Sequence, residues 1–209
     1  LTPVPLESLL QPHVHFPGDL SNRPITVTGR YGAGRQIVVE GRRLGTASGV
    51  WVVTPLTVSS TGATVAVLRG FAADTTTNGT GTGIPPLSTD EVTVAGTLGP
   101  GESPSGERVT LPAGRYETLD LSRLVNTWPG DMYDAIVFAK SESPNATSGL
   151  ERVPPPELPT AMTPRNLAYA FQWWIFALFA IWMWWRMVRE DHRTTTAPLA
   201  PDPIGAGTP

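Results

Sequence analysis

The sequence predicts a mainly β extracytoplasmic domain, an antiparallel barrel or sandwich of about six strands plus a short helix, followed by a C-terminal transmembrane helix. Three observations lead there. Six short runs rich in Val, Ile, Thr and Gly recur between residues 23 and 140, separated by turn residues. Five of the seven Trp fall between Trp173 and Trp185, in a stretch without a charged side chain. The mean hydropathy of -0.06 describes neither part, because a polar, Pro- and Gly-rich segment and an apolar one are averaged together.

Residues 1–22 form an N-terminal arm with weak periodicity, and the β domain is expected over residues 23–140. In its first run Ile25, Val27 and Gly29 alternate with Thr26, Thr28 and Arg30, the period of two that puts one face of a strand inside. Further runs follow at residues 35–40, 49–58 and 64–71. Residues 75–86 (TTTNGTGTGIPP) are a low-complexity loop. Strand pattern returns at residues 91–98, another loop spans 99–114, and 133–139 is the last β-rich run. Between them residues 119–126 (LDLSRLVN) read as a short helix capped by Asp120 or Ser122. Residues 141–163 are a polar loop and a Pro-rich stalk, of which 153–159 would extend about 20 Å as polyproline.

From Asn166 to Trp185 there are twenty consecutive uncharged residues. At about 1.5 Å per residue they match the roughly 30 Å of bilayer hydrocarbon, which predicts a membrane helix over 164–189. Trp182, Trp184 and Trp185, followed by Arg186 and Arg189, have the composition of an aromatic belt with cationic anchors. Arg186, Arg189 and Arg193 outweigh Arg165 and Arg152, so residues 190–209 are expected as a disordered cytoplasmic tail and the β domain as extracytoplasmic. A chain beginning Leu1-Thr2-Pro3 carries no export signal. The reading therefore expects an export signal before residue 1, either cleaved or kept as an uncleaved membrane helix.

Composition narrows the chemistry. No Cys means no disulfide, thiolate metal site or Cys nucleophile, and a net charge of -3 excludes a general nucleic-acid binder. G-x-S-x-G, P-loop and H-E-x-x-H patterns are absent, so the chain is expected not to be an enzyme. His13 and His15 could lie on one side of an extended arm as a metal pair, or stand solvated in it. Asn78 and Asn145 open N-x-T sequons read as loop positions. On the predicted membrane helix, Asn166, Tyr169, Gln172, Trp173 and Phe176 share a face. An amide such as Gln172 in hydrocarbon requires a hydrogen-bond partner, which makes this face a partner-binding candidate unless interfacial water reaches it. Lys140 is the single lysine among 15 cationic residues, a bias seen in high-GC bacterial genomes.

Six segments in order carry a resemblance. Residues 23–31 (RPITVTGRY), Gly45 and Gly49 followed by Val53-Thr54-Pro55-Leu56, and residues 65–71 (VAVLRGF) are three of them. Residues 92–98, residues 116–124 (YETLDLSRL) and residues 166–173 (NLAYAFQW) complete the set. Over roughly residues 23–190 the chain resembles the surfeit-1 family of cytochrome c oxidase assembly proteins, as an actinobacterial-like member. Phe71 and Tyr116 stand where the family usually has Trp, and Asn166 where many members carry a His.

The resemblance implies a first membrane helix, a haem-copper oxidase of the aa3 type as partner, and assistance to haem a insertion. It extends the expected contacts to the wider respiratory supercomplex and places the chain in a bacterial plasma membrane. No firmly bound cofactor is expected, because an amide at position 166 is a poor ligand for haem iron. Arg69, within the R-G-F run, is the β domain's candidate contact, for an acidic loop of the oxidase, a propionate or a neighbouring strand. Either a transient haem-delivery factor or a stably bound accessory subunit fits, the second better. The competing expectation is an anchored β domain that binds or senses an envelope ligand.

Overall fold

The structure, a computed structural model, describes residues 2–74, 87, 90–104, 111–144, 149–156 and 164–194. Eight strands follow one another as β1 (Val4–Pro5), β2 (Pro24–Tyr31), β3 (Ile37–Leu44), β4 (Ala47–Val58), β5 (Thr64–Ala73), β6 (Glu91–Gly99), β7 (Arg115–Tyr116) and β8 (Met132–Ser143). Helix α1 (Leu121–Val125) lies between β7 and β8, and α2 (Pro164–Thr194) ends the described chain. The chain divides into two compact units, Leu1–Leu158 and Pro159–Pro209.

In the first unit the sheet order is β1-β2-β6-β8-β5-β4-β3-β7, and a second pairing of β2 with β4 closes it into a barrel. Closure occurs where Gly29, Arg30 and Tyr31 face Val58, Thr57 and Leu56. Gly29 is required there, since a Cβ on it would stand 2.2 Å from the Thr57 carbonyl oxygen. The all-antiparallel sheet expected from sequence needs correction. β5 and β8 run parallel, with Ala66, Val67 and Leu68 facing Ile136, Val137 and Phe138, and the two short strands β1 and β7 also pair in parallel. A parallel pair cannot be joined by a hairpin. The chain from 74 to 131 makes that crossover, and it carries β6, β7 and α1 on the way.

Side-chain alternation explains why β5 and β8 are buried on both faces. Val65 and Val67 join Ile25, Val27, Leu56, Val94 and Val137 in one apolar cluster. Ala66 and Leu68 point the other way, into a second cluster with Leu119, Leu124, Trp128, Ile136 and Phe138. Helix α1 contributes Leu121 and Leu124 to this second cluster. Asp120 caps it as expected, its carboxylate accepting from Ser122 N at 2.9 Å and Ser122 Oγ at 2.6 Å.

Two segments are more integrated than the sequence pattern indicates. In the region read as an arm, Leu6, Leu10 and Phe16 are buried in the first cluster, and β1 pairs with β2. Its regular pieces are only two or three residues long, too short to leave a period. At the end of β8 the polar residues Ser141, Glu142 and Ser143 continue the ladder with Ala95, Val94 and Thr93, where the sequence pattern starts a loop. Leu150 and Val153 then pack on the domain, and Asn22 Nδ2 donates to the Pro156 carbonyl at 3.1 Å. The loop at 75–86, residues 157–163 of the stalk, the tail from 195, Asn78 and Asn145 lie outside the described residues.

The second unit is built on α2, 31 residues long. Pro164 suits a first helical position, where its missing N–H costs nothing, and no Gly or Pro follows before the helix ends. Among the described residues no helix is long and apolar enough to cross a membrane. Indole rings, Gln172, Arg186 and Arg189 all lower the summed hydropathy of this stretch.

Candidate functional site

Helix α2 presents large apolar side chains all round its circumference. Tyr169, Trp173 and Phe176 are exposed, Trp173 by 76%, and so are Trp174, Leu178, Ile181 and Trp184 on the other sides. A helix stabilised by burial in its own chain would cover one stripe of such residues. Gln172 is exposed beside them; the Asn166 side chain lies outside the described ones. Phe179 and Trp182 rings stand 5.9 Å apart. Toward the C-terminal end, Arg186 lies over the Trp182 ring at 5.8 Å and Arg189 over the Trp185 ring at 4.8 Å.

Arg69 occupies a different place from the one its charge suggests. The alternation that puts Val65 and Val67 in the first cluster continues to Arg69, and the side chain has no solvent exposure. Its guanidinium lies 5.2 Å from the centre of the Tyr31 ring, donates to Gln36 Oε1 at 3.2 Å, and faces the equally buried Glu142 carboxylate at 3.7 Å. Arg152 Nη1 donates both to Glu142 Oε1 at 3.0 Å and to the Arg69 carbonyl at 2.8 Å. Burial first, and then the Glu142 charge, push the Tyr31 phenol far above its usual range. Arg69 thus belongs to an ion network inside the domain, the neighbouring-strand alternative of its sequence reading.

The next two residues explain the rest of the R-G-F run. A Cβ on Gly70 would meet the Glu151 carbonyl oxygen at 2.7 Å and Leu150 Cβ at 2.9 Å, so only glycine lets the strap at 150–153 lie against β5. Phe71 N donates to the Glu151 carbonyl at 2.7 Å, and Glu151 N returns a bond to the Phe71 carbonyl at 2.9 Å. Charge from Arg152, clearance at Gly70 and the backbone pair at Phe71 together fix the strap to the barrel. Glu142, Arg152, Gln36 and Tyr31 escaped the sequence reading, because they lie far apart in the chain and no motif spacing links them to Arg69.

A groove of about 370 Å³ opens beside the β3–β4 hairpin, lined by Glu40, Arg42, Arg43, Ser48, Asp74 and Arg115 among others. Arg42 stacks on Trp51 at 4.1 Å and forks onto Glu102, while Arg115 pairs with Glu40. His13 and His15 line one pocket beside Met132 and Asp134, each bonded to a different carboxylate. His13 Nε2 bonds Asp131 at 2.9 Å and His15 Nδ1 bonds Asp134 at 3.0 Å, tying the segment before β2 to the start of β8. Among the described residues no group of three or more His, Cys, Asp or Glu is placed to hold a metal ion. What the surfaces offer is contact: an aromatic helix, a polar groove and a strap.

The sequence profile of the SURF1 family matches residues 1–178, through the whole β domain and into the first half of α2. No curated protein matches the chain.

Proposed function

The chain belongs to the SURF1 family, the assembly factors of cytochrome c oxidase, and on that premise we propose that it is a membrane-anchored factor that stays bound to the oxidase. The observation that carries the reading is α2, whose aromatic and aliphatic side chains are exposed on every side. A bilayer covers such a helix completely, and Trp and Tyr, which lower summed hydropathy, are favoured where hydrocarbon meets headgroups. The β domain then stands outside the plasma membrane of a bacterium, with the end of α2 at the cytoplasmic side. Tyr169, Gln172, Trp173 and Phe176, with Asn166 one turn earlier, form the face that packs on the oxidase. Gln172 finds its hydrogen-bond partner there. Arg69 acts at a distance, by holding the strap that leads toward this helix.

Haem a enters as cargo of the family's work. The donors here do not suit a ligand role toward its iron: Asn166 offers an amide, and His13 and His15 are each held by a domain carboxylate. Stable contact with oxidase subunits accounts for the helix. Chain purified after co-expression with haem a synthesis should show no stoichiometric haem absorbance band; such a band would contradict this reading.

Affinity purification from detergent-solubilised membranes tests the partner. Haem-copper oxidase subunits should co-purify with the native chain, and Gln172→Leu should lower their recovery several-fold. Unchanged recovery in Gln172→Leu would refute packing through this face. Recovery of no oxidase subunit would favour an envelope ligand instead, for which the groove beside the β3–β4 hairpin is the available binding place.

A further inference from the structure

We propose that the pocket between α1, the segment before β2 and the start of β8 docks a protein partner, through one apolar side chain flanked by arginine. The site lies wholly in the first compact unit and owes nothing to the membrane reading of α2. Among the described residues, that unit leaves two large hydrophobic side chains exposed, Val14 by 48% and Val125 by 52%. They are not scattered. Val125 lines a pocket of about 270 Å³, and Val14 stands between His13 and His15, which line it too. The buried side chains of Leu121, Met132 and Tyr133 complete its apolar lining. Single exposed valines are ordinary on a soluble domain, but two beside one apolar cavity mark a contact surface. The cavity falls below the about 300 Å³ at which cofactor- and drug-sized ligands begin. It suits one aromatic or aliphatic side chain, the kind of anchor on which protein contacts centre.

The rim selects what flanks the anchor. Asp131 and Asp134 are open to solvent there, and no Arg or Lys among the described residues pairs with either. Each spends one oxygen on an imidazole, Asp131 its Oδ1 on His13 and Asp134 its Oδ2 on His15. The second oxygen of each is left for an incoming donor. A guanidinium brings permanent charge and a fork of N–H groups to such carboxylates, while an acidic segment is repelled by them. The wall is also built in advance. His13 holds a φ of 61°, a backbone that few residues other than Gly adopt. His13 N donates to the Met132 carbonyl at 3.1 Å and Phe16 N to Asp134 Oδ2 at 3.2 Å. Leu10 and Phe16, buried in the first cluster, anchor the segment on both sides, so little freedom is lost on docking.

The test titrates the full chain, in non-ionic detergent, into three fluorescein-labelled peptides followed by anisotropy. Gly-Arg-Phe-Arg-Gly should bind about tenfold tighter than Gly-Glu-Phe-Glu-Gly or Gly-Arg-Ser-Arg-Gly, and salt should weaken it. Amides of residues 13–16 and 121–125 should exchange with deuterium more slowly in its presence. Val14→Ser/Val125→Ser alters only exposed side chains and should keep the β circular dichroism of the native chain while weakening binding about tenfold. Asp131→Asn should narrow the preference for arginine flanks over glutamate. Equal affinity for the three peptides, no binding by any of them at millimolar concentration, or unchanged binding in the double variant would overturn the proposal. Self-association of the chain that the double variant abolishes, in place of peptide binding, would make the occupant a second copy and overturn it as well. Recovery of oxidase subunits through α2 is a separate readout, which none of these outcomes alters.

Discussion

Arg69 and Glu142 face each other at 3.7 Å with neither side chain exposed, and Arg152 joins them from the strap. Removing one member of a buried pair strands the charge of the other, at a cost of about 3–5 kcal/mol. Glu142→Gln preserves shape and removes charge, so it should destabilise the β domain by about that amount in urea titration, and an unchanged midpoint would show that Glu142 is not the needed counter-charge. Tyr31 gives the network a pH signature. Its phenol is held above the ordinary value, by burial first and by Glu142 second. The folded chain therefore keeps a proton that the unfolded chain releases above about pH 10. This contribution is complete below pH 10 and is lost as pH rises past it. Tyr31→Phe should lose less stability than the native chain between neutral and alkaline pH, measured as the shift in urea midpoint. The sequence singled out Arg69 through its motif, but nothing in the spacing of residues 31, 36, 142 and 152 pointed to a network.

At the scale of elements, the strap at 150–153 and the strand β5 beneath it form one device. Gly70→Ala puts a methyl within 2.7 Å of the Glu151 carbonyl oxygen and within 2.9 Å of Leu150 Cβ. The strap must lift, at a cost of about 1–3 kcal/mol, and the amides of Phe71 and Glu151 should exchange with deuterium faster than in the native chain. Retained protection at both would show that β5 gives way instead. The six longer strands were legible in sequence because each is a run of β-branched and apolar residues between turn residues: β2, β3 and the start of β6 alternate their burial with period two, while β5 is an unbroken buried run. β1 and β7, at two residues each, have no period to read. Glu142 lies within β8 although its neighbours Ser141 and Ser143 are polar, because pairing with β6 fixes the backbone whatever the side chains. The cap at Asp120 was legible because an N-cap acts within one turn of its own residue.

For the whole molecule, the apolar clusters among the described residues draw their members from residues 6–153, within the first compact unit. A chain ended after Leu158 should therefore keep the β spectrum and thermal midpoint of the full-length domain in circular dichroism, while losing partition into membranes. Loss of cooperative unfolding would show instead that α2 completes the fold.

The sequence by itself determined the strand pattern, the capped short helix, the aromatic helix and the family, because each is written in local alternation or in consecutive residues. Barrel closure between β2 and β4, the parallel pairing of β5 with β8, the burial of Arg69 and the docking of the first twenty-two residues were decided only in three dimensions. These depend on which distant segments meet, and local propensity is the same for a strand whatever neighbour it finds. Arg69 makes the difference plain: an arginine in a motif reads equally as a contact for a partner or as an ion pair with a neighbouring strand, and only the folded barrel brings Glu142 and Arg152 close enough to keep its charge inside.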